Sequence, residues 1–229
     1  MVRIKAVIFD LDDTLISEHS YIESGYKHIS KLLSNKLGQN AEEINQALTA
    51  LFNESPKNVF NRLLDQLEVS YTKADIIELV NAYRNHPPEI AFFDDVRPCL
   101  DLLKEQGMKL GIITDGYAFG QRQKLKAVQA DRFFDEVIVT DELGEDHMYW
   151  KPHSKAFQLI QEKLNVDCEE MVYIGDNPAK DFHISSELPI KTIRIFRNGV
   201  HTKKDYLNGI KEHHSIYSLG ELATLLRHE

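Results

Sequence analysis

Asp10-Leu11-Asp12-Asp13-Thr14 sets two carboxylates two residues apart directly after an apolar run, so Asp10 and Asp12 can face one pocket while Leu11 points away. Such a pair can divide its labour. A carboxylate kept ionised by a cation can attack an electrophile, while its neighbour, crowded by like charge, carries a proton. The two then titrate as a unit. Asp13 reads instead as the residue that caps the following turn. Farther along, Gly175-Asp176-Asn177-Pro178-Ala179-Lys180-Asp181 supplies hard oxygen donors of the kind Mg²⁺ takes. Asp181, near the start of a predicted helix, is suited to the metal, to orienting its water, or to pairing with a lysine. A site of this kind that handles phosphate also needs positive charge and a hydroxyl donor. Lys151, in Lys151-Pro152, and Thr114, in Thr114-Asp115-Gly116, supply them.

The elements that must position these residues follow one rhythm. Ile4 to Phe9 is a continuous apolar, β-branched run ending in acids, which suits a strand buried on both faces of a parallel sheet. Leu110 to Ile113, Val137 to Val139, Met171 to Ile174 and Lys191 to Phe196 read the same way. Helical patterns lie between them, over 96–106, 119–130, 153–164 and 179–187. The alternation predicts an α/β fold with a doubly wound parallel sheet. In such a sheet ligands bind beyond the carboxyl ends of the strands, so Asp10, Thr114 and Asp176 should converge. Ser218 with Glu221 forms a capping box ahead of a last helix carrying Leu222, Leu225 and Leu226.

The interval from Asp10 to Thr114 is far longer than the others. Within it, Tyr21, Ile29, Leu32 and Leu33, then Ile44, Leu48 and Leu51, then Val59 to Leu67, then Ile76 to Tyr83 recur at helical spacing. Ile16-Ser17-Glu18 opens this insert and Pro87-Pro88 closes it. The predicted organisation is therefore an α/β core of residues 1–16 and 89–229 with a four-helix insert over 17–88, joined by two connections that permit hinge motion.

Composition narrows the function classes. The 229 residues carry a formal charge of −9, with 27 Lys and Arg against 36 Asp and Glu, and no basic patch, which argues against nucleic acid. The first apolar run is too short for a signal-peptide core or a membrane span, so a cytoplasmic location is expected. Cys99 and Cys168 lie far apart, form no zinc or disulfide pattern, and read as buried thiols. The ten histidines, His213-His214 included, show no ligand spacing. Phe92-Phe93 and Phe133-Phe134 read as core anchors, and Tyr117, Phe119 and Arg122 as residues that could line a substrate mouth.

Taken in order, the Asp10 to Thr14 run, Thr114-Asp115-Gly116, Lys151-Pro152 and Gly175-Asp176 through Asp181 resemble the four motifs of the haloacid dehalogenase superfamily. The likeness covers residues 4 to 200, and the insert is similar to that superfamily's α-helical cap. The resemblance implies that Asp10 attacks phosphorus, that Asp12 protonates the leaving alcohol and then activates water, and that Thr114 and Lys151 hold the phosphoryl oxygens. It assigns Mg²⁺ to the Asp10 carboxylate, the Asp12 carbonyl and Asp176. The acids expected at the metal are thus Asp10, Asp12, Asp176 and Asp181. Asp12 argues for phosphoryl chemistry over dehalogenation, which resembles this pattern only without the second aspartate. Asp115 is a small departure, since asparagine is frequent there in the family.

The resulting expectation is a Mg²⁺-dependent phosphatase of a small phosphorylated metabolite. Two alternatives stand beside it. A phosphomutase would pass the phosphoryl group to a second hydroxyl, and a phospho-accepting signalling module would keep it. Oligomeric state has no signature in these residues.

Overall fold

A computed structural model describes residues 3–200 and 203–227. Along the chain come β1 (Ala6–Phe9), α1 (Glu18–Leu37), α2 (Ala41–Glu54), α3 (Val59–Gln66), α4 (Lys73–Asn85), α5 (Val96–Glu105) and β2 (Lys109–Thr114). There follow α6 (Ala118–Ala127), β3 (Glu136–Val139), α7 (Lys155–Leu164), β4 (Met171–Gly175), β5 (Lys191–Ile195), β6 (His214–Ile216) and α8 (Leu222–Arg227). The chain divides into two compact units, one running to His19 and resuming at Ile90, the other comprising Ser20–Glu89.

The first unit is built on a six-stranded, wholly parallel sheet in the order β3-β2-β1-β4-β5-β6. Successive residues of β1 feed opposite faces, as pleating requires. Val7 and Phe9 join a core with Leu100 and Leu103 of α5, Leu125 of α6 and Leu222 of α8. Ala6 and Ile8 join another with Phe157 and Ile160 of α7. Gly111 of β2 lets these layers close, because a Cβ there would lie 2.5 Å from Ile160 Cδ1 and 2.9 Å from Ile8 Cδ1. Phe92 packs edge-on against Phe133, and both cysteines are buried, with burial pushing the Cys99 thiol up to about 12. Since β1 lies between β2 and β4, strand order reverses at its carboxyl end, and a crevice opens there.

Three local expectations are corrected. The helix over 179–187 does not form, and only a short 3-10 segment, His183–Ser186, appears. Side chains compete for its backbone: Asn177 N–H donates to Asp181 Oδ2 and Ala179 N–H to Asn177 Oδ1. The helix expected over 153–164 begins only at Lys155. Lys151 N–H is drawn instead to Asp115 Oδ1, and His153 N–H closes a turn on the Trp150 carbonyl. Finally, β6 extends the sheet where His214-Ser215-Ile216 offers no apolar run to announce it. The Ser218–Glu221 capping box is present and leads through a 3-10 turn into α8.

The helical unit has its own core, formed by Tyr26, Ile29 and Leu33 of α1, Ile44 and Leu48 of α2, and Phe60, Leu63 and Leu64 of α3. Asn40 caps α2 through Glu42 N–H at 2.8 Å, and Thr72 with Asp75 forms a capping box on α4. Leu32 and Ile77, placed by periodicity on the apolar stripes, are exposed. No helix among the described residues is long and apolar enough to cross a membrane.

Candidate active site

The turn after β1 delivers both leading aspartates. Leu11 carbonyl accepts from Leu15 and Ile16 N–H, and Asp13 takes a left-handed conformation at φ 51°. Asp13 Oδ1 accepts from Glu18 N–H at 2.9 Å and Oδ2 from Val200 N–H at 2.8 Å. Its role is structural, as its position in the sequence indicates.

Asp10, Asp176 and Asp181 come together at the ends of β1 and β4, each offering an oxygen within 4.8 Å of the others. Lys151, whose side chain is fully buried, reaches into this cluster. Its Nζ lies 2.7 Å from Asp10 Oδ1, 2.9 Å from Asp181 Oδ1 and 2.7 Å from Tyr173 Oη. Asp181 is well supplied with donors, since Tyr173 Oη and Asn177 N–H also bond to it at 3.1 and 2.9 Å. Asp176 is not: its Oδ2 is buried without a partner.

Charge in this cluster is out of balance. Burial, then Asp181 and Asp10, pushes Asp176 up to about 9. Burial raises Asp10 to about 6 against the pull of Lys151. Orphaned, crowded carboxylate oxygens with a high proton affinity are the donor set a hard divalent cation satisfies. The residues present therefore fit Mg²⁺.

Asp12 stands apart from that cluster. Lys124 Nζ donates to its Oδ1 and Oδ2 at 2.7 and 2.8 Å, and Gln121 Nε2 donates to Oδ2 at 2.9 Å. Burial would raise the Asp12 carboxyl, but Lys124 and Gln121 outweigh it and hold it below the usual carboxylate range. Half-buried Glu18 lies in the same electrostatic neighbourhood, and burial followed by Asp12 pushes it up to about 7. Thr114 ends β2, and its Oγ1 accepts from Gln121 Nε2 at 2.6 Å. The hydroxyl proton is left with only a long 3.5 Å contact to the Asp115 carbonyl. Asp115 accepts from Thr140 Oγ1 at 2.8 Å, Lys151 N–H at 3.0 Å and Lys180 Nζ at 2.9 Å. Although buried, it is held below its ordinary range by Lys151 and Lys180.

The structure thus gathers Asp10, Asp176, Asp181 and Lys151 directly, and ties Asp12 to Thr114 through Gln121. Four contributors escape the reading of motifs alone. Tyr173 was legible as the one polar-tipped residue in an aliphatic strand, and Gln121 and Lys124 as polar residues three apart on the helix after Thr114. Lys180 lies within the last motif. Arg122 is spent on a two-pronged pair with Glu142, at 2.8 and 2.5 Å, while Tyr117 and Phe119 are exposed.

Residues 7–195 match the haloacid dehalogenase-like hydrolase family. The chain belongs to that family. It is similar to a glyceraldehyde 3-phosphate phosphatase of Methanocaldococcus jannaschii, 29% identical over 98% of this chain and 97% of the relative. The Pyrococcus abyssi protein of the same name is 32% identical over 83% of this chain and 80% of its own. A pyrophosphatase PpaX of Bacillus mycoides is 28% identical over 77% and 76%. Among solved structures, the HAD phosphatase from Thermococcus onnurineus superposes with a TM-score of 0.62 at 27% identity, covering 97% of this chain and 98% of that one. The protein is a phosphatase-like hydrolase of the family.

Proposed function

We propose that this protein is a Mg²⁺-dependent phosphatase that hydrolyses a small phosphorylated metabolite through an aspartyl phosphate on Asp10. The observation that carries the reading is the separation of two carboxylates by their partners. Asp10 lies in the acid cluster with Lys151, while Asp12, two residues on, is held outside it by Lys124 and Gln121.

The Asp10 carboxylate, the Asp12 main-chain carbonyl and Asp176 would hold the ion, with Asp181 beside them. The ion supplies charge neutralisation for the phosphoryl oxygens and keeps Asp10 ionised. Asp10 attacks phosphorus in line, and the bond to the ester oxygen breaks as Asp12 hands that oxygen a proton. Asp12 then takes a proton from water, the water oxygen attacks phosphorus, and the bond to Asp10 breaks. Inorganic phosphate leaves, and both aspartates return to their starting states. Asp12, ionised at rest, takes up a proton from solvent as the phosphoryl dianion binds and raises its proton affinity; it is ionised again for the second half, and returns the proton it gains from water to solvent as phosphate leaves. Lys151 and the Thr114 hydroxyl hold the phosphoryl oxygens, and the helical unit serves as the cap that selects the substrate.

Relatives that act on glyceraldehyde 3-phosphate and on pyrophosphate make these compounds the first members of a test panel, with sugar phosphates and nucleotides after them. Phosphate release is measured with and without Mg²⁺ for the wild type and Asp10→Asn. Metal-dependent release that the substitution abolishes is the expected result. Stable labelling of Asp10 without release, or an isomerised ester with little free phosphate, would replace this reading with a signalling acceptor or a mutase.

A further inference from the structure

The helix that follows Thr114 turns an unusual face toward the sheet. Of the residues α6 buries, Gln121 and Lys124 are polar, and they lie three apart on one side of the helix. Burying an ammonium group is costly unless it is paired, and an aliphatic residue would pack there without that cost. Both side chains are directed at one acceptor. Lys124 Nζ bonds to both oxygens of Asp12, which fixes the plane of the carboxylate, and Gln121 Nε2 adds a third bond to Oδ2. The same Nε2 lies 2.6 Å from Thr114 Oγ1 and 2.8 Å from the Asp115 carbonyl. Turning the amide over would set its oxygen against the Asp12 carboxylate, so charge decides its orientation.

We propose that Lys124 and Gln121 are positioning residues, which clamp the Asp12 carboxylate outside the Asp10–Asp176–Asp181 cluster and aim it at the ester oxygen and the incoming water. The inference rests on the phosphatase reading above. Asp12 stands on a turn rather than a strand, and a fourth carboxylate free to swing would be drawn to the cation that the cluster suits. Three bonds from one rigid helix prevent that swing. Gln121 also couples the position of Asp12 to that of Thr114, so proton donor and phosphoryl-binding hydroxyl share one support.

The test compares two aryl esters of nearly one shape, p-nitrophenyl phosphate and phenyl phosphate, the second with the poorer leaving group. Protonation of the departing oxygen matters for phenyl phosphate and little for the nitro ester. With Mg²⁺ present, kcat/KM reads the steps through leaving-group departure. In Lys124→Met and in the milder Gln121→Leu, the ratio of kcat/KM for phenyl over p-nitrophenyl phosphate should fall about tenfold or more, within the ~10²–10⁴ that acid catalysis contributes. Asp12→Asn sets the limit of that fall, and Lys124→Arg should recover most of it. A support that only stabilises the fold would lower both rates alike. A wild type active on both esters whose ratio is unchanged in the variants overturns the clamp alone. A wild type that releases phosphate from neither ester nor any member of the metabolite panel overturns the phosphatase reading and the clamp together.

Discussion

The Lys151 ammonium lies 2.7 Å from Asp10 Oδ1, although 141 positions separate the two residues in the chain. Burial alone would strip a lysine of its proton. Asp10, Asp181 and Asp115 reverse that and hold Lys151 well above its ordinary value, so it is a permanent cation in the crevice. It balances the acid cluster at rest, and in the proposed mechanism it meets the phosphoryl group during turnover.

Replacing it should therefore be felt twice. Lys151→Met leaves Asp10 and Asp181 as buried carboxylates without their shared cation, and breaking such a pair costs about 3–5 kcal/mol. Turnover should fall by about 10²–10³, the scale for loss of one preorganised donor. Urea unfolding of the metal-free protein and initial rates with Mg²⁺ check the two effects separately. Full activity in the variant would remove Lys151 from the mechanism.

The acid cluster predicts how pH and metal interact. Asp10, at about 6, and Asp176, at about 9, both stand above the 3.8 of a free aspartate, so the folded metal-free protein binds more protons than the unfolded chain. Its stability then declines as pH climbs from the ordinary carboxylate range to about 6 for Asp10 and about 9 for Asp176, and levels off beyond. A cation must displace those protons, so its affinity rises by up to about tenfold per pH unit for each proton released. The thermal shift caused by Mg²⁺ should be larger at about pH 8.5 than at about pH 5.5. An equal shift at both would contradict the assigned cluster.

Asp115 and Lys180 form a pair that a double-mutant cycle can isolate. Asp115→Asn keeps an acceptor for Thr140 and the Lys151 N–H but takes the carboxylate from Lys180, at a cost of about 1–3 kcal/mol. With Lys180→Met already present, the same change should cost less, the difference being their coupling. Simple additivity would show that the 2.9 Å pair contributes nothing measurable.

Much of this site was legible because catalysis places polar residues where burial calls for apolar ones. Asp10, Thr114 and Asp176 each interrupt the end of an apolar run, and strand alternation with helical patterns announces the sheet that brings them together. Other features depend on partners distant in sequence. The turn after Asp176 is the local exception, since Asp181 draws in Asn177 N–H from only four residues away and cancels the helix beyond it. The sequence around Lys124 does not say that its acceptor lies 112 residues away. The three residues of β6 pair because β5 offers them an edge, not because their own pattern demands a strand.

Gly175 gives a steric test of the same cluster. A Cβ there would lie 2.5 Å from Asp181 Oδ2 and 2.7 Å from its Cγ. Gly175→Ala should cost about 1–3 kcal/mol through overpacking and should also weaken the Mg²⁺ response by displacing Asp181. Gly111→Ala, which strikes Ile160 and Ile8 instead, should cost stability while sparing the metal response. Titration calorimetry with Mg²⁺ on the two folded variants separates them.

The position of β1 in the sheet has a consequence for the order of events during synthesis. This strand precedes all the others in the chain, yet it pairs with β2 on one side and β4 on the other. A nascent chain therefore carries Asp10 and Asp12 through the making of the whole helical unit before either neighbour of β1 exists. Lys124 arrives soon after β2, but Lys151, Asp176 and Asp181 come later still. Until β4 docks, Asp10 has neither Asp176 nor Asp181 beside it and the crevice lacks one wall, so an incomplete chain on the ribosome has no assembled site. Activity begins only when the middle of the sheet, started first, is finally enclosed.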